Sequence, residues 1–156
     1  MGQLPHRIII GLVKSSDYNG SRTSNPFLFH HFNLNHISLT INGLQTPNEP
    51  YEPDFTNKLV RREYHHLLET LLGSCQDERS LGISLEQFIN GGKTLFGFTP
   101  MGDWMTNSCY TKEFGNINLR IRFSKATEEN LTVIVYAEYQ NLLEIDATRE
   151  IHVDFN

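Results

Sequence analysis

The stretch "HISLTING", from His36 to Gly43, decides the fold class. Its apolar residues stand at every second position, namely Ile37, Leu39 and Ile41. This period of two is typical of a β-strand that buries one face. Asn42 and Gly43 follow at once, and this dipeptide strongly indicates a hairpin because both turn positions need a positive φ. The stretch therefore predicts a strand that turns back into an antiparallel hairpin.

Most of the remaining sequence also indicates short strands. "INLRIRF" (117–123) alternates in the same way. "RIIIGLV" (7–13) is continuously apolar, as in a strand covered on both faces, and "LTVIVYAEY" (131–139) is apolar on nearly both faces. Shorter apolar runs lie at 94–98, 142–145 and 150–155. We expect an all-β fold, an eight-stranded antiparallel jelly-roll sandwich in a single domain spanning 1–156. The pattern alone does not separate a jelly roll from other sandwiches. The residues expected to face the core are Ile37, Leu39, Ile41, Leu119, Ile121, Val133, Val135, Ile151 and Val153.

Two stretches depart from the strand pattern. Between about 56 and 72 the apolar residues have the spacing of one helical face: Val60, Tyr64, Leu67, Leu68 and Leu71. We expect Asp54 or Thr56 to cap the start of this inserted α-helix. Its other side is expected to stay in water: Arg61, Arg62, His65 and Glu69. Of these, Arg62 and His65 are the candidate subunit contacts. The capping-box pattern from Ser84 to Gln87 predicts a short second helix over about 84–90.

Composition excludes several classes of protein. The 156 residues carry a formal charge of −5 and no block of Lys or Arg, so no specific nucleic-acid binding is expected. Cys75 and Cys109 are too few for a disulfide framework or a four-cysteine zinc site. No run approaches the ~20 apolar residues of a membrane span. The N-terminus lacks the apolar segment of a signal peptide, so we expect synthesis in the cytosol and no secretion.

Three histidines lie close together in the sequence, at His30, His31 and His36. Adjacent residues of an extended chain point to opposite sides, so the first two do not converge on one point as metal ligands must. No His-x-His pair followed by a Glu, as in a cupin, is present, and "NGGKT" (90–94) lacks the upstream glycine of a phosphate loop. We expect no metal, no cofactor and no catalytic residue.

Several phrases resemble a known family. They are "GQLPHRIIIGLV" (2–13), "NPFLFHHFNLNHISLTINGLQTP" (25–47), "PDFTN" (53–57), "NINLRIRF" (116–123) and "TVIVYAEYQNLLEIDATREIHVDF" (132–155). Together they resemble the C-terminal jelly roll of the double-jelly-roll major capsid proteins of Polinton (Maverick) elements and adintoviruses. The resemblance extends from Gly2 to Phe155. It covers one of the two jelly rolls, so we expect the chain to be the second half of such a protein.

The resemblance implies a structural role in a viral shell. In such a family, three chains supply six jelly rolls to one capsomer, and the function is self-assembly without catalysis. The expected partners are other copies of the chain and a companion N-terminal jelly roll, and the expected location is the virion. A host-retained single jelly roll that binds a protein or a glycan is the alternative. A cupin-like metalloenzyme is a distant third.

Overall fold

The computed structural model describes residues 2–20, 22–72, 82–100, 112–139, 141 and 143–153. These residues form ten strands and three helices. The strands are β1 (Gly2–Gln3), β2 (Arg7–Lys14), β3 (Leu34–Ile41), β4 (Leu44–Tyr51), β5 (Leu95–Phe98), β6 (Phe114–Gly115), β7 (Ile117–Phe123), β8 (Leu131–Glu138), β9 (Leu143–Ile145) and β10 (Ile151–Val153). The helices are α1 (Ser15–Tyr18), α2 (Arg61–Leu72) and α3 (Leu85–Ile89). The prediction of a mainly β fold with antiparallel sheets is confirmed. The expected count of eight strands is too low for the described residues.

The long strands form two three-stranded antiparallel sheets, in the orders β5-β2-β8 and β4-β3-β7. The strand pairs are nested along the chain: β2 pairs with β8 in one sheet, and β3, the next long strand, pairs with β7 in the other. Two further sheets, β1-β6 and β9-β10, have two strands each. The described residues therefore do not form the two four-stranded sheets of a complete jelly roll.

The core lies between the inward faces of the two three-stranded sheets. From β2 it takes Ile8, Ile10 and Leu12, each at most 3% exposed. From β3 it takes Ile37 and Leu39, at 0% and 1%. The predicted inward orientation of β3 is therefore confirmed. β2 is also covered on its outer side, where Val13 is 0% exposed, as its continuous apolar sequence indicated.

Local turn chemistry explains the β3–β4 hairpin and α3. Asn42 and Gly43 have φ angles of 50° and 87°, the left-handed pair that the sequence predicted. Ser84 caps α3 by accepting a hydrogen bond from the Gln87 backbone N–H, and the Gln87 side chain accepts one in return from Ser84. Both predictions are confirmed because each depends on residues adjacent in the chain.

The start of α2 was predicted too early, at about residue 56. The helix begins at Arg61, because Asp54 stabilises a separate turn instead of capping the helix. The Asp54 carboxylate accepts hydrogen bonds from the backbone and side-chain N–H groups of Asn57, and a left-handed residue, Lys58 at φ 58°, follows. Asp54 and Leu59 then bond to each other through their backbones, which closes the turn before the helix starts.

The apolar face of α2 packs onto the core beside β5, as predicted. Val60, just before the helix, and Leu67 are fully buried, while Tyr64 and Leu71 are partly buried against the core. The fifth predicted residue, Leu68, is half-buried and does not belong to the core cluster. The expected wet residues Arg61, Arg62, His65 and Glu69 are exposed. Two polar residues of the helix, Glu63 and Thr70, are nevertheless buried, at 4% and 3% exposure.

The expected core membership of the C-terminal strands is wrong in three places. Val133, Val135 and Ile151 are 42%, 53% and 62% exposed. Their alternation does place the first two on the inward face, since Val133 pairs with Leu12 and Val135 with Ile10. They are exposed because, among the described residues, β8 is an edge strand whose inward face contacts water. Leu119 and Ile121 of β7 are partly buried, and the side chain of Val153 lies outside the described residues.

Two leucines of the same hairpin allow a matched test of the core. Leu39→Ala removes side-chain packing at a residue that is 1% exposed, so the free energy of unfolding should fall by about 2–5 kcal/mol. Leu44→Ala, at a residue 75% exposed, should change it by less than about 0.5 kcal/mol. Urea denaturation followed by circular dichroism measures both. Equal losses in the two variants would contradict the assignment of the inward face.

Candidate interaction surface

One side of the sandwich is closed where β4 approaches β5. Tyr51, the last residue of β4, donates a hydrogen bond from its hydroxyl to the carbonyl oxygen of Gly97 in β5 at 3.1 Å. The same hydroxyl lies 2.8 Å from Nδ1 of His66 on α2, and the Tyr51 ring contacts Phe98 at 5.1 Å between centroids. Burial raises the pKa of Tyr51, so the phenol stays protonated and keeps its donor. Tyr51 therefore joins both sheets to α2.

Arg62 stabilises this closed side by contacts with residues of β4. Its guanidinium donates hydrogen bonds to the carbonyl oxygens of Pro50 at 3.1 Å and Glu49 at 2.9 Å, and it lies 5.4 Å from the centroid of the Tyr51 ring. These contacts hold the end of β4 against α2. The side chain proposed as a subunit contact thus already has a structural role.

His65 is the more accessible of the two candidate contacts. Its side chain is 70% exposed, and Nε2 lies 3.1 Å from a carboxylate oxygen of Glu69, one helical turn away. An exposed pair of this kind contributes little to stability. His65 stays a candidate subunit contact, because most of its imidazole is exposed to solvent.

Glu63 is a residue of the same helix, α2, and its side chain lies on the buried face. It is 4% exposed, and this burial raises the pKa of its carboxyl group above the usual range. Hydrogen bonds from the backbone of Glu52 and the charge of Arg62 act in the opposite direction. Sequence reasoning missed Glu63 because the helical spacing was read from apolar residues alone. Its position, three residues after Val60 and four before Leu67, lies on the buried face of the helix.

The three histidines near the start of β3 have separate surroundings. His31 stacks on Phe55 at 4.0 Å between ring centroids, and burial lowers its pKa. His36 is buried, with Nε2 3.2 Å from the Ser38 hydroxyl and Nδ1 2.9 Å from a guanidinium nitrogen of Arg122. These contacts are those of hydrogen-bonded structural histidines, and they do not bring His30, His31 and His36 to a common point.

A different group of potential ligands lies at the tip of the β9–β10 hairpin. The described residues bring one such set together, with ligand atoms within 4.8 Å of one another: Asp146, Glu150 and His152, all exposed. Asp146 accepts hydrogen bonds from the backbone N–H groups of Thr148 at 2.8 Å and Glu150 at 2.9 Å. The Thr148 hydroxyl donates a further hydrogen bond to this carboxylate at 2.7 Å. This bond, together with the backbone bonds of the Asx-type turn, holds the pKa of Asp146 below its usual value. The group therefore explains how the hairpin turns.

The side of the sandwich opposite Tyr51 is open. The sheet orders place β7 and β8 there, each at the free edge of its sheet in the described part of the chain. Their inward residues Ile117, Val133 and Val135 are 40%, 42% and 53% exposed. We call these inward faces of β7 and β8 the open seam. Apolar side chains that face a core yet contact water indicate a surface that another element covers.

The β9–β10 hairpin carries a second exposed apolar face. Ile151 pairs with Ile145, and Leu143 lies two residues before Ile145 on the same face of the strand. These three side chains are 57–65% exposed. Glu144 and His152, which pair with each other, occupy the opposite face. In the described residues β9 and β10 pair only with each other, and the exposure of these three side chains leaves the apolar face of the hairpin in contact with water.

Comparisons with known proteins identify one relative and no family. An uncharacterized protein of Caenorhabditis elegans, F54H12.2, is 30% identical over 154 residues. The match covers 97% of this chain and 37% of the relative, so the chain spans a little over a third of that protein. No family model matches the chain, and no solved structure matches it. In the described residues, no helix is both long and apolar enough to span a membrane.

The open seam can be tested with two valines on paired strands. Val135→Thr places a hydroxyl where the side chain is 53% exposed, so the free energy of unfolding should change by less than about 0.5 kcal/mol. Val13→Thr buries the same hydroxyl at a fully enclosed residue and should cost about 1–3 kcal/mol. Chemical denaturation of both variants measures the difference. A cost at Val135 as large as that at Val13 would mean that the seam is closed in the isolated chain.

Glu63 makes the stability of the protein depend on pH. Its folded-state pKa lies above the unfolded value of 4.5, so the folded state binds the proton more tightly. Stability should then fall as the pH rises from 4.5 through the folded pKa, and stay lower above it. Glu63→Gln should raise the melting temperature at pH 7 and flatten this slope, whereas the exposed control Glu69→Gln should not. An unchanged pH profile in Glu63→Gln would contradict the assignment.

Proposed function

We propose that the chain is a structural jelly-roll domain of a viral-type capsid protein, and that it acts by assembling with other copies and with a companion jelly roll. The observation that carries the proposal is the open seam. A domain that leaves inward-facing valines exposed at 42% and 53% has a core that another subunit or domain completes. In the proposed assembly, a neighbouring subunit or domain covers these valines.

The strand pairing supports the jelly-roll interpretation. In a jelly roll the chain folds as a long hairpin that is rolled up, so that early strands pair with late ones in nested order. The pairs β2–β8 and β3–β7 have this order. The connection from β2 to β3 and the connection from β7 to β8 both pass from one sheet to the other. The remaining pairs of an eight-stranded roll would continue from the free edges of β7 and β8.

The chemistry of the described residues also supports a role without catalysis. Arg62, Tyr51 and His66 form hydrogen bonds that hold the closed side together. His31 and His36 have structural partners. These polar groups therefore stabilise the fold, and the exposed groups that call for a partner are apolar side chains and strand edges.

The length of the relative is consistent with a companion domain. Nearly two thirds of the C. elegans protein lie outside the match, which is ample for a second domain of this size. A double jelly roll links two unlike sandwiches covalently, and three such chains form a block with six jelly rolls. The open seam would then contact either the companion sandwich or a neighbouring chain.

The proposal predicts an oligomer that depends on the companion domain. The chain should be expressed alone and, where its gene encodes a companion jelly roll, joined to that domain. Native mass spectrometry and light scattering should find a monomer or a weak oligomer for the chain alone, and a stable trimer for the longer protein. The exposed strand edges and apolar faces explain this difference, because the longer form covers more of them than the chain alone.

Two results would contradict the proposal. One is a longer protein that stays monomeric at high concentration. The other is tight binding of the isolated chain to a host protein or a glycan, which would favour a single-domain binding module. A glycan array and a pull-down with quantified affinity test for the latter.

A further inference from the structure

We propose that the β9–β10 hairpin of one copy docks on the free edge of β7 in a second copy, with β9 adding to the β4-β3-β7 sheet as a further strand. This contact deepens the proposed function and rests on it in one respect, since it takes the chain to be an assembly domain. Both partners in the contact, a strand edge and a short hairpin, belong to this chain.

The two edges are free in the described part of the molecule. β7 pairs with β3 on one side and ends its sheet on the other, and β9 pairs only with β10. A free strand edge presents a row of backbone N–H and C=O groups that another strand can bind. Addition of a strand to such an edge is a recurrent mode of protein recognition. The free backbone N–H and C=O groups of β7 and of β9 can therefore bond to each other.

The apolar faces of the two elements match. The inward face of β7 carries Ile117, Leu119 and Ile121, which pair with buried residues of β3. The hairpin presents Leu143 and Ile145 from the same face of β9. If β9 lies beside β7 with this face inward, the apolar layer of the sheet continues without interruption. It then lies opposite Val133 and Val135 on β8 and covers the open seam.

The charges select β7 over β8 as the docking edge. On the outward face of β7, Arg120 and Arg122 are both exposed. The outward residue of β9 is Glu144, also exposed, so that docking on β7 brings opposite charges side by side. The outward face of β8 carries Tyr136 and Glu138 instead, and Glu138 is already paired with Arg7 at 3.3 Å, so this face offers an incoming acid no exposed arginine.

A second copy is the occupant because the hairpin of the same chain does not use this edge. In the structure β9 and β10 form a sheet of their own, apart from both three-stranded sheets. Exchange between copies buries the hairpin face and the seam face together. It can also be reciprocal, since each copy has one hairpin and one β7 edge.

A charge-swap experiment tests this contact directly. Arg122 already donates a hydrogen bond to His36, so the test uses the exposed Arg120. In the E144R variant the hairpin meets Arg120 with like charge, and in the R120E variant β7 meets Glu144 with like charge. Each substitution alone should weaken self-association by about tenfold, since it replaces an attraction by a repulsion. Sedimentation equilibrium over a wide concentration range measures the dissociation constant.

Mixing the two variants provides the specific readout. In an equal mixture, the hairpin of each variant finds an oppositely charged β7 edge on the other, so the affinity of the unmodified chain should return. The controls Glu69→Arg and Arg61→Glu change the same net charges on the closed side of the sandwich, and they should leave the dissociation constant unchanged. Melting curves of all variants should agree within a few degrees.

Several results would overturn the exchange. They are an unmodified chain that stays monomeric at all concentrations, single variants that associate as strongly as the unmodified chain, and a mixture without recovery. A lower melting temperature in E144R with unchanged association would mean that the hairpin docks within its own chain. The same measurement on the longer protein with its companion domain distinguishes failure of the hairpin exchange from failure of the proposed function. A trimer that is indifferent to both substitutions overturns only the exchange, whereas a monomeric longer protein overturns the assembly role itself.

Discussion

The structure depends on the burial of two apolar strand faces against each other. β2 and β3 stand at the centres of their sheets, and their inward residues Ile10 and Ile37 are 1% and 0% exposed. Apolar burial of this kind is the main favourable contribution to folding. The other elements attach to this pair of strands as their hairpin partners, as the nested strands β7 and β8, or as the helix beside β5.

One side of this core is covered by packed side chains, and the other is exposed to water. Tyr51, Arg62 and the apolar face of α2 close one side with hydrogen bonds and packed side chains. On the other side the edge strands β7 and β8 leave inward-facing residues in water. The closed side therefore contributes to the stability of the single chain, and the open side is the surface through which we propose that it assembles. Because an exposed seam also favours nonspecific association, assembly and aggregation compete at the same surface.

Sequence patterns predicted those features that depend on neighbouring residues. The Asn42–Gly43 turn, the capping box at Ser84 and the burial of both faces of β2 follow from local conformational preferences and from continuous hydrophobicity. Alternation also placed Val135 on the correct face. It did not predict the exposure of that residue, because exposure depends on what lies opposite in the folded molecule. For the same reason the contacts of Arg62 with β4 were not predictable from spacing. The burial of Glu63, in contrast, agrees with its position between Val60 and Leu67 on one helical face.

The central claim is that β7 and β8 gain their missing cover by assembly. Hydrogen exchange of the backbone amides measures this most directly, in the isolated chain and in the longer protein with its companion domain. We expect β2 and β3 to be protected in both forms, and the outer amides of β7 and β8 to become protected only in the oligomer. If these edge amides exchange as slowly in the isolated chain as those of β2, or as rapidly in the oligomer as in the isolated chain, the claim is wrong.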